Sequence, residues 1–347
     1  MKKLIIIGGG FAGSLIAKNL ENEFETTLID TKDYFEFTPG VLRTIVDPSN
    51  LKKIQIMHEH YLKSTKFIRG SVKKIEEDHI ILEDKTKIDF DYLVLATGSR
   101  YSLPIKQDNV ISSARAKTIR DSYRKLNQAK TIIIIGGGFV GVEMAAEIAT
   151  NYKNKEIKVV DRDDKLMSRA NEKTSKHAEE FLLKRGVKII FNEKIIKMNK
   201  GTFTTESGKK LKADIAFMCN GMSPNTEFIK NSFPNKLDER NFVKVNQYLQ
   251  LEKFKYIFAA GDIVSIKEEK LAQNAQNHAH IIIDNLRNLE DNSPLKKYET
   301  GKRLMVISLG KYDGILNYKK LFLTGIIPGI FKSIIQWDFM LNYRKPI

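Results

Sequence analysis

The residues of this chain whose types and spacing could do chemistry fall into two matched sets. Gly8, Gly10 and Gly13 make one G-x-G-x-x-G cluster, and Gly136, Gly138 and Gly141 make a second. In such a cluster the first glycine permits a tight turn. The second lets backbone approach a pyrophosphate, and the third lets a helix pack close on a strand. Each cluster has an acid at the expected reach: Asp30 after Thr26-Thr27-Leu28-Ile29, and Asp161 after Ile157-Lys158-Val159-Val160. A carboxylate there can accept both hydroxyls of an adenosine ribose. One such cluster alone is no more than a tight strand–helix turn; two, each with its acid, point to two dinucleotides.

The elements that must hold these turns repeat as well. Ile5-Ile6-Ile7-Gly8-Gly9-Gly10-Phe11 recurs as Ile133-Ile134-Ile135-Gly136-Gly137-Gly138-Phe139. Each apolar run reads as a buried parallel strand, and each opens a helical pattern, over 12–20 and 140–150. The predicted fold class is therefore α/β, with two Rossmann-like dinucleotide-binding units and a short C-terminal region. Two more strands end in small-residue turns, Ala96-Thr97-Gly98 and Gly261-Asp262. Such turns bring backbone and one carboxylate to the edge of a sheet.

Composition excludes several other chemistries. A length of 347 residues suggests two or three domains, and a hydrophobic share of 42% suffices for their cores. The net charge of +16 suits phosphates, anionic headgroups or an acidic protein and selects none of them. The single cysteine, Cys219, rules out an intrachain disulfide, a Cys-rich zinc site and dithiol catalysis, and it reads as a small buried hydrophobe. The six histidines show no metal-ligand spacing, so no metal is expected. No aromatic-interleaved basic run marks a nucleic-acid partner. The apolar run Leu4 to Ile7 is shorter than the about 7–15 residues of a secretory core, and no stretch of about 18 apolar residues occurs. The body of the chain reads as soluble and cytoplasmic.

The C-terminal segment reads differently. After Pro328, taken as a helix N1 residue, Ile330, Ile334, Trp337 and Leu341 fall on one stripe, widened by Phe331 and Ile335. Lys332 lies off the stripe, and Arg344 and Lys345 flank its end. This pattern suits a helix lying in a membrane surface; the alternatives are packing on the protein's own core or on a second copy in a homodimer.

Together these motifs resemble, over nearly the whole chain, the two-dinucleotide flavoproteins of the pyridine nucleotide–disulfide oxidoreductase fold. The resemblance implies FAD on the first glycine cluster and NAD(P)H on the second. It divides the chain into a first part of the FAD domain (1–110), the NAD(P)H domain (111–240), a second part of the FAD domain (241–295) and the C-terminal region (296–347). The turn 220–225, with Gly221, resembles the one that closes the nucleotide domain. The cysteine pairs of disulfide and thioredoxin-type reductases are absent. The subgroup of type II NADH dehydrogenases and apoptosis-inducing-factor-like, ferroptosis-suppressor quinone reductases is the most similar. Tyr34-Phe35-Glu36-Phe37-Thr38-Pro39 and Val41-Leu42-Arg43 resemble its flavin-proximal segment, and Gly141-Val142-Glu143-Met144-Ala145-Ala146-Glu147 its nucleotide-domain helix. Leu271-Ala272-Gln273-Asn274-Ala275-Gln276 resembles a further helix start, and Ile307 to Gly314 and Phe331 to Arg344 the short tail. The myristoylation signal of that branch is not matched, because Lys2 follows Met1.

The resemblance implies an NAD(P)H:quinone reductase in which electrons leave FAD without a protein thiol. Arg43, Val72 and Ala272 join the glycines and acids as cofactor-binding positions. Glu143, read as lying in the first helical turn, would orient NADH, and Lys332 would stabilise a quinol anion. A helix opening near Leu271 would aim its positive end at the flavin N1/C2 carbonyl. Asp161 favours NADH, while Arg162 beside it leaves NADPH open. Two other readings stand: a reductase of an acidic ferredoxin-type carrier, which would suit a basic face, and a non-enzymatic FAD- and NADH-binding sensor.

Overall fold

A computed structural model describes residues 1–100, 112–199, 201–301 and 304–344. The two apolar repeats form the central strands Lys3–Ile7 and Thr131–Ile135 of two parallel sheets. Side chains alternate across a strand, so both faces must be apolar when both are covered. Leu4 and Ile6 enter one core while Ile5 and Ile7 enter another. Ile132 and Ile134 are divided from Ile133 and Ile135 in the same way. This is why the runs are unbroken rather than alternating.

In the first sheet Lys3–Ile7 lies between Glu25–Asp30 and Tyr92–Leu95, with Lys66–Arg69 and Ile257–Ala259 at the edges. In the second, Thr131–Ile135 lies between Glu156–Val160 and Ile215–Met218, with Lys188–Ile190 beyond. Chain direction across the sheet therefore reverses beside each glycine turn, which opens a crevice at the strands' C-terminal ends. The duplication extends past the motifs. Each unit carries an antiparallel three-stranded meander, Val72–Ile75 to Lys87–Asp89 in one and Ile195–Asn199 to Lys210–Lys212 in the other.

The first sheet receives its edge strand Ile257–Ala259 only after the second sheet is complete. The outward and return crossings are tied together. Ser99–Arg100 pairs antiparallel with Ser223–Pro224. Thr97 Oγ1 donates to the Asn225 carbonyl (2.6 Å), and Asn225 Nδ2 donates to the Thr97 carbonyl (2.9 Å). Helix Ala272–Glu290 then lies along Phe11–Leu20, burying Ala279, Ile282, Ile283 and Leu286 with Ile16, Ala17 and Leu20.

A three-stranded antiparallel sheet, Met305–Ser308, Gly314–Tyr318 and Leu321–Thr324, leads into the last helix, Ile326–Arg344. This helix starts two residues before the expected proline. Pro328 is still harmless there, because first-turn N–H groups lack intrahelical acceptors anyway. Tyr343 anchors the far end: its ring stacks on Phe35 at 4.8 Å and 12°, and its hydroxyl lies 2.9 Å from Ser14 Oγ. Phe339 packs between Phe11, Phe35 and Phe37 at 5.2–5.5 Å.

The helix leaves Ile326, Ile327, Ile330, Ile334 and Trp337 exposed. The expected stripe thus extends further toward the N-terminus, while Leu341 at its other end is half-buried. Phe331 and Ile335, expected to widen the stripe, are half-buried, and Ile335 lines the cavity on the inner side. Arg344 is not a free basic flank either, since it donates to the carbonyls of Lys52 (2.7 Å) and Lys53 (3.0 Å) at the end of the short helix Leu51–Ile54. Lys345 and the division at 110/111 lie outside the described residues. Among the described residues no helix is long and apolar enough to cross a membrane.

The anchoring role of Tyr343 is measurable. Tyr343→Ala is expected to destabilise the protein by about 3–5 kcal/mol, the usual cost of deleting a buried aromatic ring. Tyr343→Phe should cost only about 1 kcal/mol, because Ser14 Oγ keeps its bond to the Gly10 carbonyl. Urea unfolding of the two variants checks the difference.

Candidate active site

Both glycine turns open into one continuous cavity of about 1630 Å³. That is larger than the roughly 300–1,000 Å³ usual for one small ligand. Sterics at the turns explain the opening. A Cβ on Gly13 would stand 1.8 Å from the Gly8 carbonyl oxygen, and one on Gly141 1.8 Å from that of Gly136. Gly8 and Gly136 have φ of +102° and +104°, which L side chains rarely adopt. A Cβ on Gly10 or Gly138, by contrast, would project into open space. The helices that begin at Phe11 and Phe139 have no side-chain cap, so their first N–H groups remain for a ligand at the cavity wall. Turns of this shape fit the pyrophosphates of two dinucleotides.

The two acids are held alike. Asp30 accepts from the N–H of Gly9 (2.5 Å) and of Lys32 (2.8 Å). Asp161 accepts from the N–H of Gly137 and of Asp163 (3.0 Å). Backbone donors thus fix both carboxylates at the cavity rim before any ribose arrives. Arg162 lines the same cavity beside Asp161; its side chain is three-quarters exposed, with Asp163 Oδ1 at 3.5 Å.

Val72, Ala96, Thr97, Gly98, Gly221, Gly261, Asp262 and Ala272 also line the cavity. Gly13 and Gly141 do not; they are the packing glycines behind it. Asp262 accepts from Ser99 Oγ (2.5 Å), and the Gly261 N–H donates to His278 Nδ1 (3.0 Å). Helix Ala272–Glu290 presents an uncapped N-terminus here. Sequence reasoning missed Ser99, His278 and His58. His58 lies against Gly9, with Nδ1 2.5 Å from the Tyr61 hydroxyl. Burial lowers its pKa to about 4, so it is neutral behind Asp30 at neutral pH. Nothing in the spacing separates this histidine from His60, which is exposed.

The third side of the cavity brings together residues far apart in the chain. Lys332 Nζ, from the last helix, lies 2.5 Å from Glu143 Oε1, which also accepts from the Ser308 N–H (2.9 Å). Because its helix starts at Phe139, Glu143 sits beyond the first turn rather than in it, so Lys332, not the helix dipole, is its electrostatic partner. Phe37, Ile335 and Phe339 make the adjoining wall apolar.

Arg43 does not reach this cavity. Its guanidinium donates to Glu147 Oε1 (3.1 Å) and to the Gly310 carbonyl (3.2 Å), which ties the first unit to the second and to the tail. Glu147 is buried, and burial raises its pKa against the opposing charges of Arg43 and Lys332. The Cys219 thiol is buried and pushed up to about 12, so it is no thiolate at neutral pH.

This arrangement has relatives of known name. Apoptosis-inducing factor homolog A of Dictyostelium discoideum is 34% identical over 99% of this chain and 92% of that protein. Ferroptosis suppressor protein 1 of Taeniopygia guttata is 30% identical, over 95% and 92%. Two solved structures have the same fold. Sulfide:quinone oxidoreductase from Aquifex aeolicus superposes with a TM-score of 0.85 at 18% identity, covering 99% of this chain and 92% of that one. NDH2 from Plasmodium falciparum, in complex with NADH, superposes with a TM-score of 0.84 at 14% identity, covering 99% and 96%. The family model for pyridine nucleotide-disulphide oxidoreductases matches residues 2–279, which hold both glycine turns and both acids, and the chain belongs to that family.

Proposed function

We propose that this chain is an FAD-dependent NAD(P)H:quinone oxidoreductase that works without a redox-active disulfide. The observation that carries this reading is the single cavity shared by both glycine turns, whose third side is the Glu143–Lys332 pair and an apolar wall. FAD belongs to the first unit, with Gly8, Gly10, Gly13 and Asp30, the turn Ala96-Thr97-Gly98, Val72, Gly261, Asp262 and Ala272. NAD(P)H belongs to the second, with Gly136, Gly138, Gly141, Asp161 and Gly221. The domain divisions at 110/111, 240/241 and 295/296 follow from that assignment. FAD, when bound, supplies the chemistry that couples a two-electron hydride donor to a quinone.

The chain's own residues bind, orient and supply charge. The uncapped helix starts give N–H donors to the pyrophosphates. The N-terminus of Ala272–Glu290 adds positive potential where the flavin ring would lie. Glu143 holds the Lys332 ammonium at the cavity wall and orients the nicotinamide. Lys332 offers its charge and a proton to a quinone oxygen, and Phe37, Ile335 and Phe339 accommodate the ring. A neighbour named for quinone chemistry and another that binds NADH support this assignment. An apolar wall suits a quinone better than an acidic carrier protein.

The same helix supports peripheral attachment to a membrane. Lys332, Ile335 and Phe339 line the cavity, while Ile327, Ile330, Ile334 and Trp337 face outward beside the exposed Leu321 and Leu323. One helix thus separates a lipid-soluble substrate's site from an exposed apolar face, and a lipid surface explains both.

Three outcomes are expected. The purified protein should be yellow and release FAD on denaturation, and it should oxidise NADH faster with quinones than with oxygen. Lys332→Ala should then lower kcat with quinone roughly tenfold or more, the value of a hydrogen bond to a charged group, while stopped-flow reduction of FAD by NADH stays fast. A protein with intact fold that does not bind FAD would overturn the reading.

NADH should outperform NADPH in kcat/KM. Asp161→Ala should lower the NADH value by roughly tenfold, and NADPH should gain relative to it.

Finally, deleting the last helix would also remove Lys332 and Tyr343, so surface substitutions make a cleaner test. Ile327→Glu with Trp337→Glu should weaken binding to anionic liposomes by at least about tenfold, since each side chain contributes about 2 kcal/mol on burial. Ferricyanide reduction, which needs no lipid-side entrance, should persist. Unchanged liposome binding, with a dimer in light scattering that the double variant dissolves, would assign the face to a second copy instead.

A further inference from the structure

Glu147 is unused by the mechanism above, yet its setting is unusual. It follows Glu143 by one helical turn, so both point the same way from helix Phe139–Asn151. It is 3% exposed. Oε1 accepts from Arg43, and Oε2 has no hydrogen-bond partner among the described residues. A buried oxygen without a partner is costly, so such a group calls for a role or a bound water.

Beside it lies a second, small cavity of about 20 Å³, separate from the dinucleotide cavity. Its lining includes Glu147, Glu143, Lys332, Arg43, Ser308 and Ser333. The volume exceeds the roughly 10–15 Å³ that one water requires, and the polar partners are present. Ser333 is exposed at its outer side, whereas Glu143 and Lys332 also line the large cavity at its inner side. The pocket therefore bridges solvent and reaction site.

Proton balance gives this bridge a use. NADH, quinone and one proton become NAD⁺ and quinol, so one proton must enter from solvent per turnover. We propose that Glu147, through one internal water, returns to Lys332 the proton that Lys332 gives to the reduced quinone. In this relay the Lys332 Nζ–H bond breaks as the quinol O–H bond forms. Glu147 then gives its carboxyl proton to the water, which passes one on to the neutral amine. Solvent reprotonates Glu147 from the Ser333 side. The charged groups facing Glu147 are Arg43 from helix Val41–Val46, Glu143 from its own helix and Lys332 from the last helix. Burial keeps its proton on to higher pH than in an ordinary glutamate, as a donor to an amine requires. The inference rests on the quinone reductase reading.

The test compares the FAD-loaded wild type with Glu147→Gln and Glu147→Asp, using quinone and ferricyanide as acceptors. Ferricyanide takes electrons without protons. In Glu147→Gln the quinone-to-ferricyanide ratio of kcat should fall by at least about tenfold, as for loss of a proton donor. Glu147→Asp should recover part of it. Wild-type quinone turnover should decline as pH rises and Glu147 loses its proton, and the Gln variant should lose that dependence. Equal losses with both acceptors, or none, would overturn the relay and leave Glu147 as an anchor for Arg43. If Glu147→Gln fails to fold, the wild-type pH profiles decide: a decline with quinone alone supports the relay, and identical profiles overturn it. Absence of quinone turnover in the wild type, with FAD and NADH bound, would instead overturn the function reading, and the relay with it.

Discussion

Backbone-to-backbone contact between Gly13 and Gly8, and its copy between Gly141 and Gly136, is the constraint from which the site follows. At each place a helix approaches its strand so closely that a single methyl group would lie 1.8 Å from a carbonyl oxygen. That approach aims the uncapped helix start at the crevice where the strand order reverses. It also leaves Gly10 and Gly138 bare toward the cavity. A longer separation would bury less apolar surface from Ile16 and Val142 and would turn the N–H donors away. Packing and binding are therefore one requirement on the same glycines.

The second requirement is that three remote parts of the chain keep their charges in register. Arg43, Glu147, Glu143 and Lys332 bring two basic and two acidic side chains together between the first unit, the second unit and the last helix. Burying such groups costs more than their attraction returns unless they are paired closely. Here the pairing links each element to a different one: Arg43 reaches Glu147 and the Gly310 carbonyl, and Lys332 reaches Glu143. Displacing the last helix would strand Glu143 beside the buried Glu147. This makes the tail part of the site rather than an appendage. The aromatic cluster around Tyr343 and Phe339 holds it there.

The last helix has two apolar faces. Its inner side is fixed by Phe339, Met340 and Tyr343 in the core around Phe35, and its outer side exposes isoleucines and Trp337. Exposed apolar area of that kind is unfavourable in water. The structure accepts that cost on the helix whose other face lines the cavity.

The amino-acid sequence by itself determined the two strand–turn–helix units, their acids, the small-residue turns at the cavity and the family. These depend on local spacing: a glycine's missing side chain and the alternation of a buried strand act within a few residues. It also marked Glu143 and Lys332 separately. It did not place Arg43, whose guanidinium could as well have reached a phosphate, nor reveal His58 and Ser99 behind the acids. It gave no sign that Arg344 would bond to the carbonyls of Lys52 and Lys53, or that Ile335 would line the cavity. The tertiary structure alone decided that Lys332 meets Glu143 across 189 residues, and that Glu147 is buried with one oxygen unpaired. Charged side chains carry no periodicity that names a distant partner. Their pairing is settled only when independent elements pack and water is excluded between them.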